Sequence, residues 1–204
     1  MVFHMTDEIN EEQMLDKMSE LNNQLINMQR ELVKKNVELK VLNDKLQHLS
    51  ETDQLTGLYN RRHFFNKIKE EISRAERGNY KLALLSIDLN DFKKINDNFG
   101  HDEGDRVLRE FAKTVQMHLR WNIDSVYRFG GDEFIILLID ANMSYAEKVA
   151  ERLNEKVKSI HEILSLSYGI VEIVNYENID VGNLLEIADG KMFEYKREFK
   201  RSQA

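Results

Sequence analysis

Three acidic side chains that follow buried strands are the residues in this sequence whose types and spacing could perform chemistry. Asp88 ends the apolar run "KLALLSID", and Asp132 and Glu133 come directly after a pair of glycines between two further apolar runs. A Gly-Gly pair favours a tight two-residue hairpin connection. If strand 81–88 lies beside that hairpin, the three carboxylates converge at one edge of a sheet.

Converging carboxylates need a cation. They repel one another and raise one another's pKa values unless a cation holds them ionised. Mg²⁺ is the ion that typically binds one or two carboxylates together with the phosphates of a substrate. The pattern therefore predicts a magnesium site that acts on a phosphorylated substrate. The alternative interpretation is that each acid only solvates a turn.

The segment after the first of these strands carries side chains that suit a nucleotide. It reads "DLNDFKKINDNFGHDEGD", and its Lys93 lies one helical turn past the strand, where backbone N–H groups and an ammonium can hold an anion. Asn96 and Asp105 supply an amide and a carboxylate, which can bond the edge of guanine. Lys196 and Lys200, spaced i, i+4, could reach a triphosphate; a solvated basic helix end is the alternative.

The elements that must position these residues alternate between helix and strand from residue 51 onward. Arg61–Gly78 is an amphipathic helix ended by a glycine, and 81–88 is a continuous apolar run typical of a buried strand. The other predicted elements are helices at 91–99, 103–120, 144–160 and 181–199 and strands at 123–129, 134–140 and 163–174. This order predicts an α+β fold with an antiparallel hairpin inside a mixed sheet covered by helices.

Residues 1–50 have a different period and form a helical region ahead of a globular domain, 51–204. Apolar residues recur there at alternating spacings of three and four, which favours a parallel coiled coil between two copies of the chain. The positions are Met14, Met18, Leu21, Leu25, Met28, Leu32, Lys35, Leu39, Leu42, Leu46 and Leu49. Lys35 interrupts this core. Because a partial second stripe is also present, the sequence is compatible with a coiled coil in one imperfect register or in two registers of similar energy. The second stripe consists of Val33, Val37 and Val41.

Composition excludes several classes of protein. The chain has 204 residues, 42% of them hydrophobic and 32% charged, and its net charge of −7 without a basic block argues against binding to nucleic acid. No apolar run approaches the length of a membrane span and no signal peptide follows Met1, so a cytoplasmic protein is expected. Cysteine is absent, which excludes disulfides and thiolate metal sites.

Three blocks of this sequence, in their order and spacing, resemble the GGDEF family of diguanylate cyclases. The blocks are "DQLTGLYNRR", "DLNDFKKINDNFGHDEGD" and "RFGGDEF", and the resemblance extends over residues 51–200. The later segments "SLSYGI" and "IADGKMFEYK" are similar to the family's closing strand and last helix. Gly190 and Lys191 depart from that pattern, because alanine is common at both places; the departure is expected to affect packing more than chemistry.

The resemblance implies a palm-like fold similar to nucleotidyl cyclases, with a central mixed or antiparallel sheet flanked by helices and preceded by a long coiled-coil helix. It also implies the condensation of two GTP into cyclic di-GMP and two pyrophosphates. Asp88, the backbone carbonyl of Leu89, Asp132 and Glu133 would then hold two Mg²⁺, with Mn²⁺ as a substitute. Asp132 would be the base or a metal ligand for the 3′-hydroxyl.

The family pattern also implies which residues bind the substrate. Asn96 and Asp105 would read guanine, and Asp105 favours GTP because relatives that accept ATP carry a small hydroxyl residue there. Asn90 stands where the family commonly has a second aspartate, and it removes no principal metal ligand. The groups that would hold the β- and γ-phosphates are Lys93, the backbone amides near Asp91 and Phe92, Lys196 and Lys200.

One such domain binds one GTP, so two copies must face each other to close the cyclic product. The coiled coil would hold them at high effective concentration. The family usually carries a sensor domain ahead of such a helix, and since none fits before residue 8, the chain is expected to be part of a larger regulator. An intact "GGDEF" favours an active enzyme over a catalytically silent module that binds GTP or a partner. A coiled-coil scaffold without enzymatic activity would not explain the strand-end acids.

Many members of the family are arrested by their product at an RxxD motif whose aspartate lies six residues before the first glycine. Here that aspartate is Asp124, but Trp121 stands where the arginine belongs, and Arg120 comes one residue early. An indole cannot fork onto phosphate or guanine as a guanidinium does. The inhibitory site is therefore expected to be degenerate, and product inhibition through it to be weak or absent.

Overall fold

The computed structural model describes the backbone of residues 2–202 and the side chains of residues 14–15, 17–43 and 50–201. The chain divides into two compact units, Met1–Ser50 and Glu51–Ala204. The first is built from helix α1, Val2–Glu51, on which the predicted apolar stripe is solvent-exposed in this single chain from Met14 to Leu42. Leu46 and Leu49 lie outside the described side chains. None of the described helices has the length and apolar character that a membrane span requires.

The second unit has the predicted α+β architecture, a five-stranded mixed sheet with helices on both faces. The elements are β1 Tyr59–Asn60, α2 Arg61–Gly78, β2 Leu82–Asn90, α3 Phe92–Phe99, α4 His101–His118, β3 Ser125–Gly130, β4 Glu133–Ile139, α5 Met143–Val157, β5 Ser165–Ile173 and α6 Val181–Ser202. The strand order in the sheet is β1-β3-β4-β2-β5, and all neighbours are antiparallel except the parallel pair β1 and β3. The sequence pattern does not predict β1, because two residues are too short to show a period.

Strand β2 is buried on both faces, which explains its continuous apolar run. Leu85 and Ile87 join a core with residues of α3, α4 and α5. Leu82 and Leu84 join a second core with residues of α2 and α6. Because side chains alternate along a strand, Asp88 points to the same face as Leu84, toward α2 and α6.

The β3–β4 hairpin differs in detail from the prediction. Gly130 pairs with Glu133, so the two turn residues are Gly131 and Asp132 rather than the two glycines. Gly131 has a φ of 50°, a left-handed conformation that glycine adopts without steric cost. The pairing register also shifts between Arg128 and Gly130, where β3 forms a bulge. The acidic pair therefore begins inside the turn and continues into the first residue of β4.

Candidate active site

The register of the central strands brings the predicted acidic residues together. Asp88 of β2 lies opposite Glu133 of β4, and Asp132 is in the adjoining turn. The backbone N–H of Leu89 donates to the carbonyl of Asp132 at 3.2 Å. The sequence pattern predicted Asp88 as the last residue of its strand. In the structure, pairing with β5 extends β2 to Asn90.

The acids at this edge influence one another electrostatically. Burial raises the pKa of Asp132, and the charge of Asp88 raises it further. Burial also raises the pKa of Glu133, with contributions from the charges of Asp132, Asp189 and Asp88. The negative charges of these carboxylates are therefore not fully balanced by neighbouring positive charges, and such a site favours the binding of a cation.

One cation is already present in the form of Lys196. Its Nζ lies 2.6 Å from Oδ1 of Asp88, and both side chains are largely buried. Helix α6 is held against β5 in this region, where the rings of Tyr195 and Tyr168 lie 4.5 Å apart. The lysine predicted to bind phosphate thus contacts a carboxylate predicted to bind metal.

The donor set suits Mg²⁺ by its chemistry, because hard carboxylate and carbonyl oxygens are the ligands that this ion prefers. Across the described side chains, no three carboxylate or imidazole groups are already gathered as a metal site. At this edge Asp88 is paired with the ammonium of Lys196.

Helices α3 and α4 bring the two predicted guanine-reading residues close together. The amide oxygen of Asn96 lies beside Gly104, so close that a Cβ on residue 104 would be 1.9 Å from it. Gly104 directly precedes Asp105, whose carboxylate is partly exposed and 3.4 Å from Nη2 of Arg109. Phe92 packs against the same glycine. Only a residue without a side chain at 104 leaves room for this arrangement.

The other predicted phosphate ligands are less closely placed. Lys93 on α3 and Lys200 on α6 are exposed, and within the described ranges neither forms an ion pair. Asp91 precedes α3 with a φ of 59° and accepts an ion pair from Lys94 at 2.8 Å. The structure therefore brings Lys196, but not Lys93 or Lys200, to the carboxylates.

Asn90 has a structural function that sequence reasoning missed. Its buried amide donates from Nδ2 to Oγ of Ser165 at 3.1 Å and accepts at Oδ1 from Oγ of Ser167 at 2.8 Å. An ionised aspartate could accept but not donate, and a buried polar group without its partner is costly. The amide therefore ties β2 to β5 just beyond the acidic edge.

The predicted inhibitory position is occupied by a structural ion pair. The buried carboxylate of Asp124 accepts from Nε and Nη2 of Arg120, at 2.9 and 2.7 Å, and from the backbone N–H of Ile139 at 3.2 Å. Arg120 also donates to the carbonyl of Ile139 and lies 4.7 Å from the ring of Tyr145. Trp121 projects into solvent, 84% exposed. The carboxylate at the predicted product-binding position is thus already hydrogen-bonded within the fold.

A cavity of about 310 Å³ opens beside Glu133, on the face of the sheet that α2 and α6 cover. In its wall the buried hydroxyl of Ser86 donates to Asp189 at 2.6 Å. Arg61 lies 5.5 Å from the ring of Phe129 at the same cavity. Sequence reasoning missed these contacts because the partners are far apart along the chain.

Fold and site together define the class of protein: a palm-like α+β domain with an acidic edge beside a lysine of the last helix. Comparison with known proteins then gives the family. The model of the family described as "Diguanylate cyclase, GGDEF domain" matches residues 50–202. The chain belongs to the GGDEF family, as the sequence resemblance indicated.

Curated relatives agree with this assignment. The response regulator PleD of Caulobacter vibrioides is 44% identical over 119 residues, which are 57% of this chain and 26% of PleD. The diguanylate cyclase DosC of Escherichia coli K12 is 36% identical over 151 residues, 71% of this chain and 33% of DosC. The chain thus spans about a quarter to a third of the length of these relatives.

Solved structures have the same fold. The coiled coil and GGDEF domain of DgcB from Caulobacter crescentus, crystallised with c-di-GMP, has a TM-score of 0.72 over 84% of this chain and 95% of that one. At 24% identity this likeness shows the fold alone. An active GGEEF domain of a diguanylate cyclase from Vibrio cholerae is 31% identical, with a TM-score of 0.63 over 71% of this chain and 93% of its own.

Proposed function

We propose that residues 51–204 form a catalytic domain that condenses two GTP into one cyclic di-GMP and two pyrophosphates. The observation that carries this proposal is the position of Glu133 opposite Asp88, with Asp132 in the adjoining turn and Lys196 at 2.6 Å from Asp88. Phosphoryl transfer needs mainly positioning and charge neutralisation, and these groups supply both. Membership of a family whose relatives are named diguanylate cyclases supports the same reaction.

In each step the 3′-oxygen of one GTP attacks the α-phosphorus of the other, and the bond from that phosphorus to the pyrophosphate oxygen breaks. Asp132 would act as the base for the 3′-hydroxyl or as a metal ligand, and in the metal-free protein burial and the charge of Asp88 raise its pKa. Asp88, the carbonyl of Leu89, Asp132 and Glu133 would hold two Mg²⁺, or Mn²⁺. When bound, the ions would supply charge neutralisation for the leaving group and a lower pKa for the hydroxyl.

The remaining predicted residues hold the substrate. Asn96, whose amide oxygen packs against Gly104, and Asp105 hydrogen-bond the guanine edge. Lys196 exchanges Asp88 for a phosphate as the nucleotide binds. The other groups assigned to the β- and γ-phosphates are Lys93, Lys200 and the backbone amides of Asp91 and Phe92.

Each domain binds one GTP, so the active form is a homodimer in which two domains face each other. The exposed apolar stripe on α1 supplies the contact, as a parallel coiled coil that keeps the two domains at high effective concentration. A sensor domain ahead of this helix would control how the two domains face. Product inhibition through Asp124 is weak, because that carboxylate is already bonded to Arg120.

Incubation of the purified chain with GTP and Mg²⁺, followed by chromatography of the nucleotides, tests the proposal. The expected result is cyclic di-GMP from a protein that sedimentation shows to be dimeric. A dimer that binds GTP with Mg²⁺ but forms no cyclic di-GMP would identify a catalytically silent module instead.

A further inference from the structure

The side chain of Arg128, near the end of β3, bonds in two directions from a largely buried position. Its Nη1 donates to Oδ1 of Asp53 at 2.8 Å. Its Nη2 and Nε both donate to the carbonyl of Gly131, at 2.8 and 3.1 Å. Only 11% of the side chain is exposed, so competition from water is limited. One guanidinium therefore joins the loop at Asp53 to the turn that contains Asp132.

The turn depends on this contact because the strand ladder does not hold it alone. The register shifts between Arg128 and Gly130, which leaves an irregular pairing just before the turn. The carbonyl before Asp132 is fixed by Arg128, and the carbonyl of Asp132 itself accepts from the N–H of Leu89 at 3.2 Å. Both peptide carbonyls that flank the proposed base are thus anchored, one to β2 and the other to Arg128.

The opposite end of the connection is a compact loop. Oδ1 of Asp53 also accepts from the backbone N–H and the hydroxyl of Thr56, at 2.9 and 2.6 Å. The backbone N–H of Asp53 donates to the carbonyl of Leu58 at 2.8 Å, which closes the loop just before β1. Burial raises the pKa of Asp53, but the hydrogen bonds from Thr56 and Arg128 outweigh it, and the net pKa is lowered. Asp53 therefore stays ionised opposite the guanidinium.

We propose that Arg128 is a positioning residue that fixes the Asp132–Glu133 turn by fastening it to the loop of Asp53. The inference rests on the proposed cyclase activity of that turn. Asp53 comes three residues after Ser50, the last residue of the helical unit. A change of conformation in this loop would therefore move the turn of Asp132 through the side chain of Arg128. Arg128 thus connects the segment at the start of the domain to the proposed active site.

Lysine cannot replace arginine in this role. A guanidinium presents a rigid planar fork that serves two acceptors at once, whereas an ammonium is a compact point charge on a flexible stem. Displacement of a reacting group by about 1 Å can cost on the order of a hundredfold in rate. Loss of the fork is therefore expected to lower kcat while leaving the separate guanine and phosphate contacts intact.

The test compares Arg128→Lys, Asp53→Asn and the double variant with wild type, each in the whole 204-residue chain. Arg74→Gln is the matched control, because it breaks a guanidinium–carboxylate pair of 2.7 Å with Glu71 on α2. The measurements are kcat and KM for GTP well below the Tm of each variant, and Mn²⁺ affinity by electron paramagnetic resonance with a non-hydrolysable GTP analogue.

We expect each single variant to lose about tenfold or more in kcat, with a much smaller change in KM and weaker Mn²⁺ binding. The double variant should be no worse than the poorer single one, since both remove the same connection. The control should match wild type. An unchanged kcat and Mn²⁺ affinity in Arg128→Lys, or losses that multiply in the double variant, would overturn the inference. A wild type without product overturns the cyclase proposal instead, and the Mn²⁺ measurement still decides the role of Arg128.

Discussion

Lys196 and Asp88 form an ion pair that joins α6 to β2 at the proposed active site, with Nζ 2.6 Å from Oδ1. The ammonium neutralises a carboxylate that is proposed to bind metal, at an edge where Asp132 and Glu133 already have raised pKa values through burial and neighbouring charge. The same lysine is assigned to the substrate phosphates. If the proposed roles of Asp88 and Lys196 are correct, metal binding and nucleotide binding are expected to be coupled, because a metal would pair with Asp88 and a phosphate would pair with Lys196.

Replacement of Lys196 by methionine tests this coupling. Without the ammonium, Asp88 is free for a cation, so Mn²⁺ should bind more tightly than in wild type when no nucleotide is present. GTP should bind about tenfold more weakly, because one charge-assisted contact to phosphate is lost. Electron paramagnetic resonance of Mn²⁺ and titration calorimetry of a GTP analogue measure the two effects.

Lys113→Met is the matched control, since it removes a lysine that pairs with Glu110 at 2.9 Å on the exposed side of α4. It should change neither affinity. Equal or weaker Mn²⁺ binding by the Lys196 variant without nucleotide would contradict the coupling.

The raised pKa of Asp132 predicts a pH-dependent stability. A carboxyl group whose folded pKa is raised contributes stability that is fully present below its unfolded pKa, near 4, and is lost as the pH rises through the folded value. In metal-free protein, Asp132→Asn should therefore raise Tm at about pH 8, and the gain should shrink toward about pH 4. Calorimetric melting curves across this range measure it.

Asp97→Asn removes the same charge from an exposed position on α3 and provides the comparison for overall net charge. Its Tm should follow wild type at every pH. If Asp132→Asn lowered Tm at about pH 8, the carboxylate would be stabilising the metal-free fold, contrary to the burial and repulsion described.

The space at Gly104 predicts a specific effect on base recognition. Gly104→Ala would place a Cβ 1.9 Å from the amide oxygen of Asn96, so the amide has to move. KM for GTP should rise about tenfold, and discrimination against inosine triphosphate, which lacks the 2-amino group, should fall. Steady-state kinetics with both nucleotides test this.

Gly190→Ala is a suitable comparison, because a Cβ added to that helical glycine meets no atom within 4 Å. It should leave KM unchanged for both nucleotides. A Gly104→Ala enzyme with the KM of wild type would show that Asn96 does not read the base.

The buried pair of Arg120 and Asp124 predicts a structural rather than a regulatory role for this aspartate. Asp124→Ala leaves a mostly buried guanidinium without its partner and should destabilise the fold by on the order of 3 kcal/mol. Product inhibition should be weak before and after the change. Thermal unfolding and titration with cyclic di-GMP measure the two properties, with Asp97→Ala as the exposed control. Strong inhibition of wild type that Asp124→Ala relieves without loss of Tm would contradict this role.

Much of the fold follows from local pattern. The helix Arg61–Gly78 agrees with its prediction at both ends, because its apolar period and terminal glycine are local signals. The other predicted helices and strands occur within a few residues of their expected limits. Strand β3 begins two residues later than expected, at Ser125, because Asp124 closes the preceding turn through Arg120.

Contacts between distant residues could not be predicted in the same way. Arg128 and Asp53 are 75 positions apart and Lys196 and Asp88 are 108 apart, and no periodicity relates such pairs. The sequence motifs indicated which residues could perform chemistry. The register between β2 and β4 decides how they meet, and the guanidinium and ammonium partners depend on how loops and helices pack around the sheet.

The most direct test of the central claim is a quenched time course with GTP and Mg²⁺ in which GTP, cyclic di-GMP and pyrophosphate are measured together. The predicted result is two GTP consumed and two pyrophosphates released for each cyclic di-GMP formed, with Asp132→Asn slower by on the order of a hundredfold or more. GTP consumption without cyclic di-GMP, or an Asp132→Asn variant as fast as wild type, would contradict the claim that this acidic edge is a diguanylate cyclase site.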